Sequence, residues 1–258
     1  MTTSLIITTY NWVEALELVF LSILQQSILP DEVIVADDGS SIKTKKLIEK
    51  YQDFFPIELH HFWQEDDGFR AASARNGAIR MSQGSYLILI DGDMVLHPLF
   101  VEDHLSFAKE GAFLQGSRVL IDKEKTLEII YSKKITFSFY QKGLSNRKNA
   151  IHMKCLASLC SGYRSTIQGI KSCNFSLHRT DAYKVNGFNE AFVGWGREDS
   201  EFAVRLMNAG IKRRDLKFHA IAYHLYHPEN TRKSLPQNDE KLQSAIDKKM
   251  VWCTEGLQ

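Results

Sequence analysis

Residues 86–93 read YLILIDGD, an apolar run followed by two carboxylates with one glycine between them. A short apolar run bounded by turn residues is typical of a buried strand. Asp91 and Asp93 then leave the end of this strand together. Carboxylate oxygens suit Mg²⁺ or Mn²⁺, and Gly92 would let a phosphate approach. Asp-Gly is also an ordinary turn sequence, so this motif alone leaves both interpretations open.

Short β-branched runs precede this strand and alternate with segments of helical periodicity. This pattern predicts an α/β fold with parallel strands and crossover helices. Strands are predicted over 5–8, 32–36, 57–62 and 86–90, and helices over 13–26, 42–51 and 71–81. Open α/β sheets bind ligands at the carboxyl ends of their strands, so we expect the polar residues that follow the strands to meet.

Two further strand ends carry side chains suited to a nucleotide. TTYN at 8–11 follows the first strand, and DDGS at 37–40 follows the second. A carboxylate such as Asp38 can accept a hydrogen bond from a base, and an aromatic ring such as Tyr10 can stack on one. A turn with a helix cap is the alternative for 37–40. Arg70 and Arg75 flank a predicted helix start, where guanidinium groups suit a diphosphate or form surface salt bridges.

A third cluster, GWGRED at 194–199, comes directly before a predicted helix over 198–208. Acidic residues in a first helical turn complement the helix dipole, which is a structural explanation for Glu198 and Asp199. It does not account for Trp195. A tryptophan between two glycines suits the face of a sugar, with the neighbouring carboxylates placed to accept hydroxyl protons.

His224 and His227 follow a strand predicted over 218–223. In an extended chain, residues three apart point to opposite faces. Only one of the two histidines is therefore predicted to reach a metal ion.

Residues 121–170 hold nine Lys or Arg and three Asp or Glu, a local charge of 9 − 3 = +6, with lysines and aromatic residues alternating over 133–142. This composition indicates either an acceptor-side or membrane-surface segment or a solvated insertion without a partner. The polar residues from Thr231 onward predict a loosely packed helix.

Composition narrows the functional class. Of 258 residues, 32 are Lys or Arg and 31 are Asp or Glu, so the net charge of +1 argues against a general nucleic-acid binder. The four cysteines form no CxxC pair, which disfavours a zinc site and indicates a reduced compartment. No segment is predicted to be a signal peptide or to span a bilayer. We expect a cytoplasmic protein, with peripheral association at the inner face of the membrane as an option.

Taken in order, these motifs resemble those of a family 2 glycosyltransferase of the GT-A fold. The C-terminal part is similar to the galactosyltransferase-type segment of chondroitin-polymerase-like bacterial enzymes. The resemblance covers roughly residues 4 to 228 and rests on five ordered motifs. It implies a mixed, mainly parallel sheet flanked by helices. Residues 1–120 would form a donor half, 121–230 an acceptor and catalytic half of the same domain, and 231–258 a C-terminal tail.

The resemblance also implies roles for individual residues. It places Thr8, Tyr10 and Asp38 at the uridine of a UDP-sugar. It also implies donor-side roles for Arg70, Arg75 and Trp195. Asp91 would contact the ribose, or the metal through a water molecule. Asp93 and His224 would bind Mn²⁺ or Mg²⁺. Asp199 would be the general base, and Glu198 would contact the acceptor or the donor sugar. Arg197 replaces the small residue found there in some related transferases.

The implied function is inverting transfer from a UDP-sugar to a hydroxyl of a bacterial surface glycan or a lipid-linked saccharide. A sugar-phosphate nucleotidyltransferase is one alternative, but TTYNW at 8–12 lacks the glycine-rich phosphate loop which that chemistry favours. A non-catalytic nucleotide-sugar or saccharide-binding module is the other. Galactose, N-acetylgalactosamine, glucose and glucuronate all remain open as the donor sugar.

Overall fold

Twelve strands form two sheets in the computed structural model, which describes residues 1–228 and 231–258. The strands are β1 (Thr3–Thr9), β2 (Glu32–Asp37), β3 (Glu58–Trp63), β4 (Tyr86–Asp91), β5 (Met94–Leu96), β6 (Ala112–Gln115), β7 (Arg118–Ile121), β8 (Leu144–Ser145), β9 (Gly162–Arg164), β10 (Asn174–His178), β11 (Lys212–Asp215) and β12 (Ala222–His224). Residues 229 and 230, at the end of the expected catalytic half, lie outside the described residues.

Helices fill most of the connections. They are α1 (Val13–Ile23), α2 (Ile42–Gln52), α3 (Ala71–Met81), α4 (Phe100–Phe107), α5 (Lys123–Ser132), α6 (Lys154–Cys160), α7 (Arg179–Lys184), α8 (Glu198–Asn208) and α9 (Leu235–Asp247), with a short 3-10 helix over Arg147–Ala150. In the part of the chain that the structure describes, none of the helices is long and apolar enough to cross a bilayer.

The large sheet has the strand order β3-β2-β1-β4-β10-β6-β11-β9. Strands β1 to β4 pair in parallel, β10 runs antiparallel to both β4 and β6, and β6 pairs in parallel with β11. The smaller sheet has the order β5-β12-β7-β8. The predicted mixed, mainly parallel α/β sheet is confirmed.

Both faces of the large sheet are buried, which explains the continuous apolar runs in its central strands. Leu5, Ile7 and Ile88 belong to one core cluster together with residues of α1, α2 and α4. Ile6 and Leu89, on the opposite face, belong to a second cluster with residues of α3, α7 and α8. Successive side chains of a strand point to opposite faces, so each central strand contributes side chains to both core clusters.

The prediction of a strand over 218–223 is wrong. The chain instead forms β11 and β12, with an irregular connection between them. Phe218 (φ 58°) and Ala220 (φ 50°) both adopt the left-handed backbone region, which interrupts an extended strand. The signal that predicted a strand was apolar composition, which here reflects burial of the connection.

The alternation of lysines with aromatic residues over 133–142 marks an irregular segment with one buried side. Ile135 is buried in a third core cluster, and Phe137 packs against the same cluster, its ring stacking on Tyr223 at 4.0 Å between centroids. Lys133 forms an ion pair with Glu17 at 2.7 Å. Phe137 therefore serves packing, whereas Tyr140 in the same segment is exposed.

Residues 231–258 are packed against the domain, so the expectation of a loosely packed helix is wrong. Leu242 and Ala245 of α9 are buried against Val204 of α8. Leu257 is buried in the second core cluster, and its backbone N–H donates to Asn186 O at 3.0 Å. All four cysteines are free thiols.

Candidate active site

The carboxyl ends of β1, β2 and β4 lie side by side. Thr8 on β1 is the register partner of Ala36 on β2 and of Asp91 on β4. Gly92 follows directly, and a Cβ at that position would lie 2.9 Å from Thr9 Oγ1. The glycine is thus required by close packing against β1, in addition to any approach of a ligand. The predicted convergence of the three strand ends is confirmed.

Tyr10 and Asp38 form one end of the site. The Tyr10 ring is half exposed, and its hydroxyl donates to Asp66 Oδ2 at 2.9 Å, a bond that raises the pKa of the phenol. Asp38 is buried and accepts hydrogen bonds from Gln64 Nε2 at 2.6 Å and from the backbone N–H of Arg70 at 2.7 Å. Burial raises the pKa of the Asp38 carboxyl despite these bonds.

The sequence analysis missed Gln64 and Asp66. Both follow β3, whose carboxyl end lies at the same edge of the sheet, and that position was the available signal. The Arg70 guanidinium donates to Glu65 O and lies 3.8 Å from Asp67. The Arg70 side chain therefore contacts the residues that follow β3, while its backbone N–H donates to Asp38.

Arg75 connects three of the predicted motifs. Its Nε lies 3.1 Å from Thr8 Oγ1, its Nη2 lies 3.1 Å from Asp91 Oδ1, and its Nη1 lies 3.2 Å from Glu198 Oε1. The guanidinium is buried over the Phe188 ring. Burial alone would lower the pKa of Arg75, but Asp91 and Glu198 outweigh it and the pKa is raised. Each of the three guanidinium nitrogens of Arg75 thus already contacts a group of the protein.

Asp93 and two histidines form a cluster with metal-ligand spacing. His224 Nε2 and His227 Nε2 lie 3.5 and 3.2 Å from Asp93 Oδ2, and one ligand atom from each residue lies within 4.8 Å of the others. The expectation that the two histidines point to opposite faces is wrong, because both imidazoles lie beside Asp93. Strand β12 ends at His224, so strand alternation does not extend to His227.

The protonation chemistry of this cluster suits a cation. Asp93 Oδ1 is buried with no hydrogen-bond partner among the described residues. Burial, and then the charge of Asp91, raise the pKa of Asp93 to about 7. Burial, and then Arg118, lower the pKa of His224 to about 3, which keeps its imidazole neutral and able to donate a lone pair.

Glu198 and Asp199 stand in the first turn of α8, which follows Arg197 in the left-handed region at φ 81°. Asp199 Oδ1 accepts the backbone N–H of Ser200 at 2.7 Å. Glu198 is 8% exposed, and its Oε2 has no partner among the described residues. Burial, and then Asp199, raise the pKa of Glu198 to about 7, and burial also raises the pKa of Asp199. The pair can hold or release a proton near neutral pH.

The Trp195 loop is held by α9. A Cβ on Gly194 (φ 77°) would lie 2.2 Å from Ser234 Oγ, so only glycine fits this approach. Asn238 Nδ2 donates to Gly196 O at 2.9 Å. The Trp195 ring is 39% exposed, with the Arg232 guanidinium 5.6 Å from its centroid. The C-terminal residues therefore position this loop, which no sequence pattern indicated.

A cavity of about 330 Å³ extends from the end of β6. Cys173 lines it, and burial, followed by the charge of Asp91, raises the pKa of this thiol to about 12. The charged residues that line the cavity are Arg118, Arg164, Lys171, Arg213, Asp215 and Lys217. Asp215 pairs with Arg213 and Arg164. Arg118, Lys171 and Lys217 form no ion pair within the described ranges.

Comparison with protein families identifies two matches. Residues 4–168 match the model described as "Glycosyl transferase family 2". Residues 152–228 match the model described as "N-terminal domain of galactosyltransferase".

Three comparisons with individual proteins agree with these matches. The chain is 26% identical to the chondroitin synthase of Escherichia coli, with 86% of this chain and 34% of the synthase covered. It is 28% identical to the validoxylamine A glucosyltransferase of Streptomyces hygroscopicus subsp. limoneus, with 81% and 48% covered. The crystal structure of S. aureus TarS 1-349 in complex with UDP-GlcNAc matches with a TM-score of 0.66 at 16% identity, over 96% of this chain and 66% of that one.

The chain spans less than half of the length of these two curated relatives. The structural match shows that the fold is of the GT-A type, as predicted.

Proposed function

The chain belongs to glycosyl transferase family 2, and from that premise we propose that it is an inverting, divalent-metal-dependent hexosyltransferase. It moves a sugar from a UDP-sugar to a hydroxyl of a bacterial surface glycan, such as a lipooligosaccharide, a capsule or a related polysaccharide. The observation that carries the proposal is the contact of one buried guanidinium, that of Arg75, with both Asp91 and Glu198. This contact joins the strand-end motif to the acidic helix in one site.

For the donor, we propose that Tyr10 stacks on the uracil while Thr8 and Asp38 contact the uridine. The exposed Tyr10 ring and the buried Asp38 carboxylate support this assignment. The bound UDP-GlcNAc in the structurally similar TarS supports a UDP-sugar as the donor class. Asp91 is held by Arg75, and we assign to it the ribose or a water-mediated contact to the metal.

For the cofactor, the residues present fit a divalent cation. Asp93 offers a buried oxygen without a partner, and His224 and His227 offer ring nitrogens beside it. These three residues would hold Mn²⁺ or Mg²⁺, and the two imidazoles favour Mn²⁺ because Mg²⁺ prefers oxygen ligands. When bound, the cation offsets the negative charge that develops on the departing diphosphate.

For the chemistry, we assign the general base to Asp199. As the acceptor hydroxyl oxygen attacks the anomeric carbon, Asp199 takes the hydroxyl proton, and the bond from that carbon to the diphosphate breaks on the opposite face. Glu198 lies beside it with one oxygen free to contact the acceptor or the donor sugar. Trp195 is a platform for a sugar face. Arg75 is a positioning residue, because its guanidinium fixes Asp91 and Glu198.

For the acceptor, the cavity lined by Arg118, Lys171 and Lys217 supports a glycan or lipid-linked saccharide that carries negative charge. Of the Lys and Arg residues at 121–170, only Arg164 lines this cavity, and Lys125, Lys133 and Lys154 pair with glutamates.

Peripheral binding to the cytoplasmic membrane through the remaining exposed lysines is a separate proposal. Vesicle binding that is insensitive to salt and to charge reversal at Lys134 and Lys142 would refute it.

UDP release from a panel of UDP-sugars, with Mn²⁺ and in EDTA, tests the proposed function. We expect metal-dependent UDP release with at least one of UDP-galactose, UDP-N-acetylgalactosamine, UDP-glucose and UDP-glucuronate. A protein that binds these donors and never turns them over is a binding module, and the proposal would then be wrong.

A further inference from the structure

A second group of metal-ligand side chains lies apart from the residues assigned to transfer. Asp103 is on α4, His152 lies between the 3-10 helix and α6, and His219 lies in the connection between β11 and β12. His152 Nε2 is 3.0 Å from each carboxylate oxygen of Asp103, and His219 Nε2 is 3.2 Å from Oδ1. One donor atom from each residue lies within 4.8 Å of the other two.

The Asp103 carboxylate has no lysine or arginine as a partner among the described residues. It is 2% exposed, and its partners are the two imidazoles and the backbone N–H of Ala220 at 2.8 Å. No lysine or arginine forms an ion pair with it within residues 1–228 and 231–258. Lys154, the nearest lysine in sequence to His152, pairs with Glu102 instead. Burying a carboxylate is costly, and a cation bound between Asp103 and the two imidazoles would offset that cost.

The spacing of the donor atoms suits a small divalent ion. Zn²⁺ binds imidazole nitrogen and carboxylate oxygen at about 2.0 to 2.2 Å, so neighbouring ligand atoms around a tetrahedral ion are about 3.3 to 3.5 Å apart. The observed separations of 3.0 and 3.2 Å need only a small outward movement to reach that spacing.

The surroundings fix the orientation of both imidazoles. The His97 ring is stacked on His152 with centroids 5.0 Å apart and planes 5° apart, and the Phe107 ring lies 5.3 Å from His219. The residues on either side of His219, Phe218 and Ala220, both adopt the left-handed region. Neither is a residue type that favours this region, so packing and hydrogen bonding around His219 hold the connection there.

We propose that Asp103, His152 and His219 form a second divalent-metal site, selective for Zn²⁺ or a similar borderline cation over Mg²⁺. Two imidazoles and one carboxylate provide three ligands, and water completes the coordination. The bound ion fastens the residues around His152 to α4 and to the connection after β11. This site contains no cysteine, so the spacing of the cysteines does not bear on it.

Co²⁺ binding to the full chain tests this site, because Co²⁺ takes the same ligands as Zn²⁺ and absorbs visible light. After chelator treatment and desalting, Asp93→Asn, which disables the transfer-site cluster, should still bind one equivalent of Co²⁺ with a nitrogen-ligand spectrum. The double variant Asp93→Asn, His152→Gln should no longer bind this equivalent of Co²⁺. The His152 side chain is 15% exposed against 6% for that of His219, so we expect this variant to perturb folding less than a change at His219.

His97→Phe is the matched control, because it keeps a ring stacked on His152 and leaves the three donors in place. It should bind as much Co²⁺ as the parent. Zn²⁺ should raise the thermal midpoint of the Asp93→Asn protein and leave that of the Asp93→Asn, His152→Gln protein unchanged. A folded Asp93→Asn protein that binds no Co²⁺, or one whose binding survives His152→Gln, would overturn the proposal. Neither readout depends on glycosyl transfer, so failure of the proposed function leaves this test intact.

Discussion

Arg75 Nη1 lies 3.2 Å from Glu198 Oε1, although the two residues are 123 positions apart in the sequence. Through the same guanidinium, α3 is joined to the end of β4 at Asp91. A planar group with five fixed donors can hold two carboxylates and a hydroxyl at once, which a lysine ammonium does not reproduce. Arg75 therefore links Asp91 and Glu198, the residues proposed for the donor side and the acceptor side of the site.

We expect Arg75→Lys to lower kcat by about 100-fold, because a misplacement of about 1 Å between reacting groups has a cost of that order. Donor affinity should fall much less, since Tyr10 and Asp38 are held by other residues. The measurement is kcat together with the Kd for UDP by calorimetry. Arg80→Lys, which changes an arginine on the same helix that pairs with Glu190, is the control and should retain turnover. Equal losses of UDP affinity and kcat in Arg75→Lys would argue for direct binding of the diphosphate.

Metal activation should depend on both histidines beside Asp93. We expect Asp93→Asn to abolish turnover, and His224→Ala to raise the Mn²⁺ concentration for half-activation by at least about tenfold. His227→Ala should have a smaller effect, because its side chain is 35% exposed against 14% for His224 and water replaces it more easily. Turnover that persists in EDTA would contradict the metal assignment. A larger effect of His227→Ala would show that His227, and not His224, contributes more to metal binding.

The pH dependence of kcat should show an acidic limb displaced upward from the ordinary range of an aspartate, because burial raises the pKa of Asp199, the proposed base, while burial and the charge of Asp199 raise the pKa of its neighbour Glu198 to about 7. Turnover rises as pH rises through this range, since a base must be ionised to accept a proton. Glu198→Gln removes one charge of the pair and should move the limb to lower pH by about one unit. Saturating Mn²⁺ is needed, because protons compete with the metal at Asp93.

Stability gives an independent check of the same shift. The folded-state pKa of Glu198 is raised, so its contribution to the free energy of unfolding is fully present below its ordinary pKa of 4.5 and is lost as pH rises through 7. Urea unfolding should therefore show Glu198→Gln gaining stability relative to wild type between pH 5 and pH 8. A constant difference across that range would show that the pKa is not raised.

Asp199→Asn separates catalysis from helix capping. If Asp199 only complements the helix dipole, the change should cost about 0.3 to 1 kcal/mol of stability and leave turnover intact. As the general base, its loss should lower kcat by roughly 10² to 10⁴-fold while UDP binding survives. Asp181→Asn, in the first turn of α7, is a matched control for the dipole effect. A stable, donor-binding Asp199→Asn protein with normal kcat would refute the role.

The sequence predicted the parts of the molecule that depend on local periodicity. Strands β1 to β4 and helix α3 lie where the apolar runs and the residues after them indicated, and parallel pairing then brings Thr8 beside Asp91. The order of the motifs along the chain was enough to identify the family.

The missed features depend on contacts between distant segments. His227 reaches Asp93 because β12 ends at His224. Helix α9 is packed because Leu242 and Ala245 are buried against Val204, and Ser234 and Asn238 contact the Trp195 loop. The left-handed residues Phe218 and Ala220 carry no local signal, since neither is glycine or asparagine. Such features are set by tertiary packing, which a single sequence does not display.

The anomeric configuration of the sugar released from an α-linked UDP-sugar tests the central claim most directly. The donor that gives metal-dependent UDP release would be turned over with water as the acceptor, and the first-formed sugar would be observed by NMR before it mutarotates. A single displacement, with Asp199 taking the proton of the attacking hydroxyl, predicts the β-anomer. An α-anomer as the first product would contradict inversion and with it the mechanism proposed for this site.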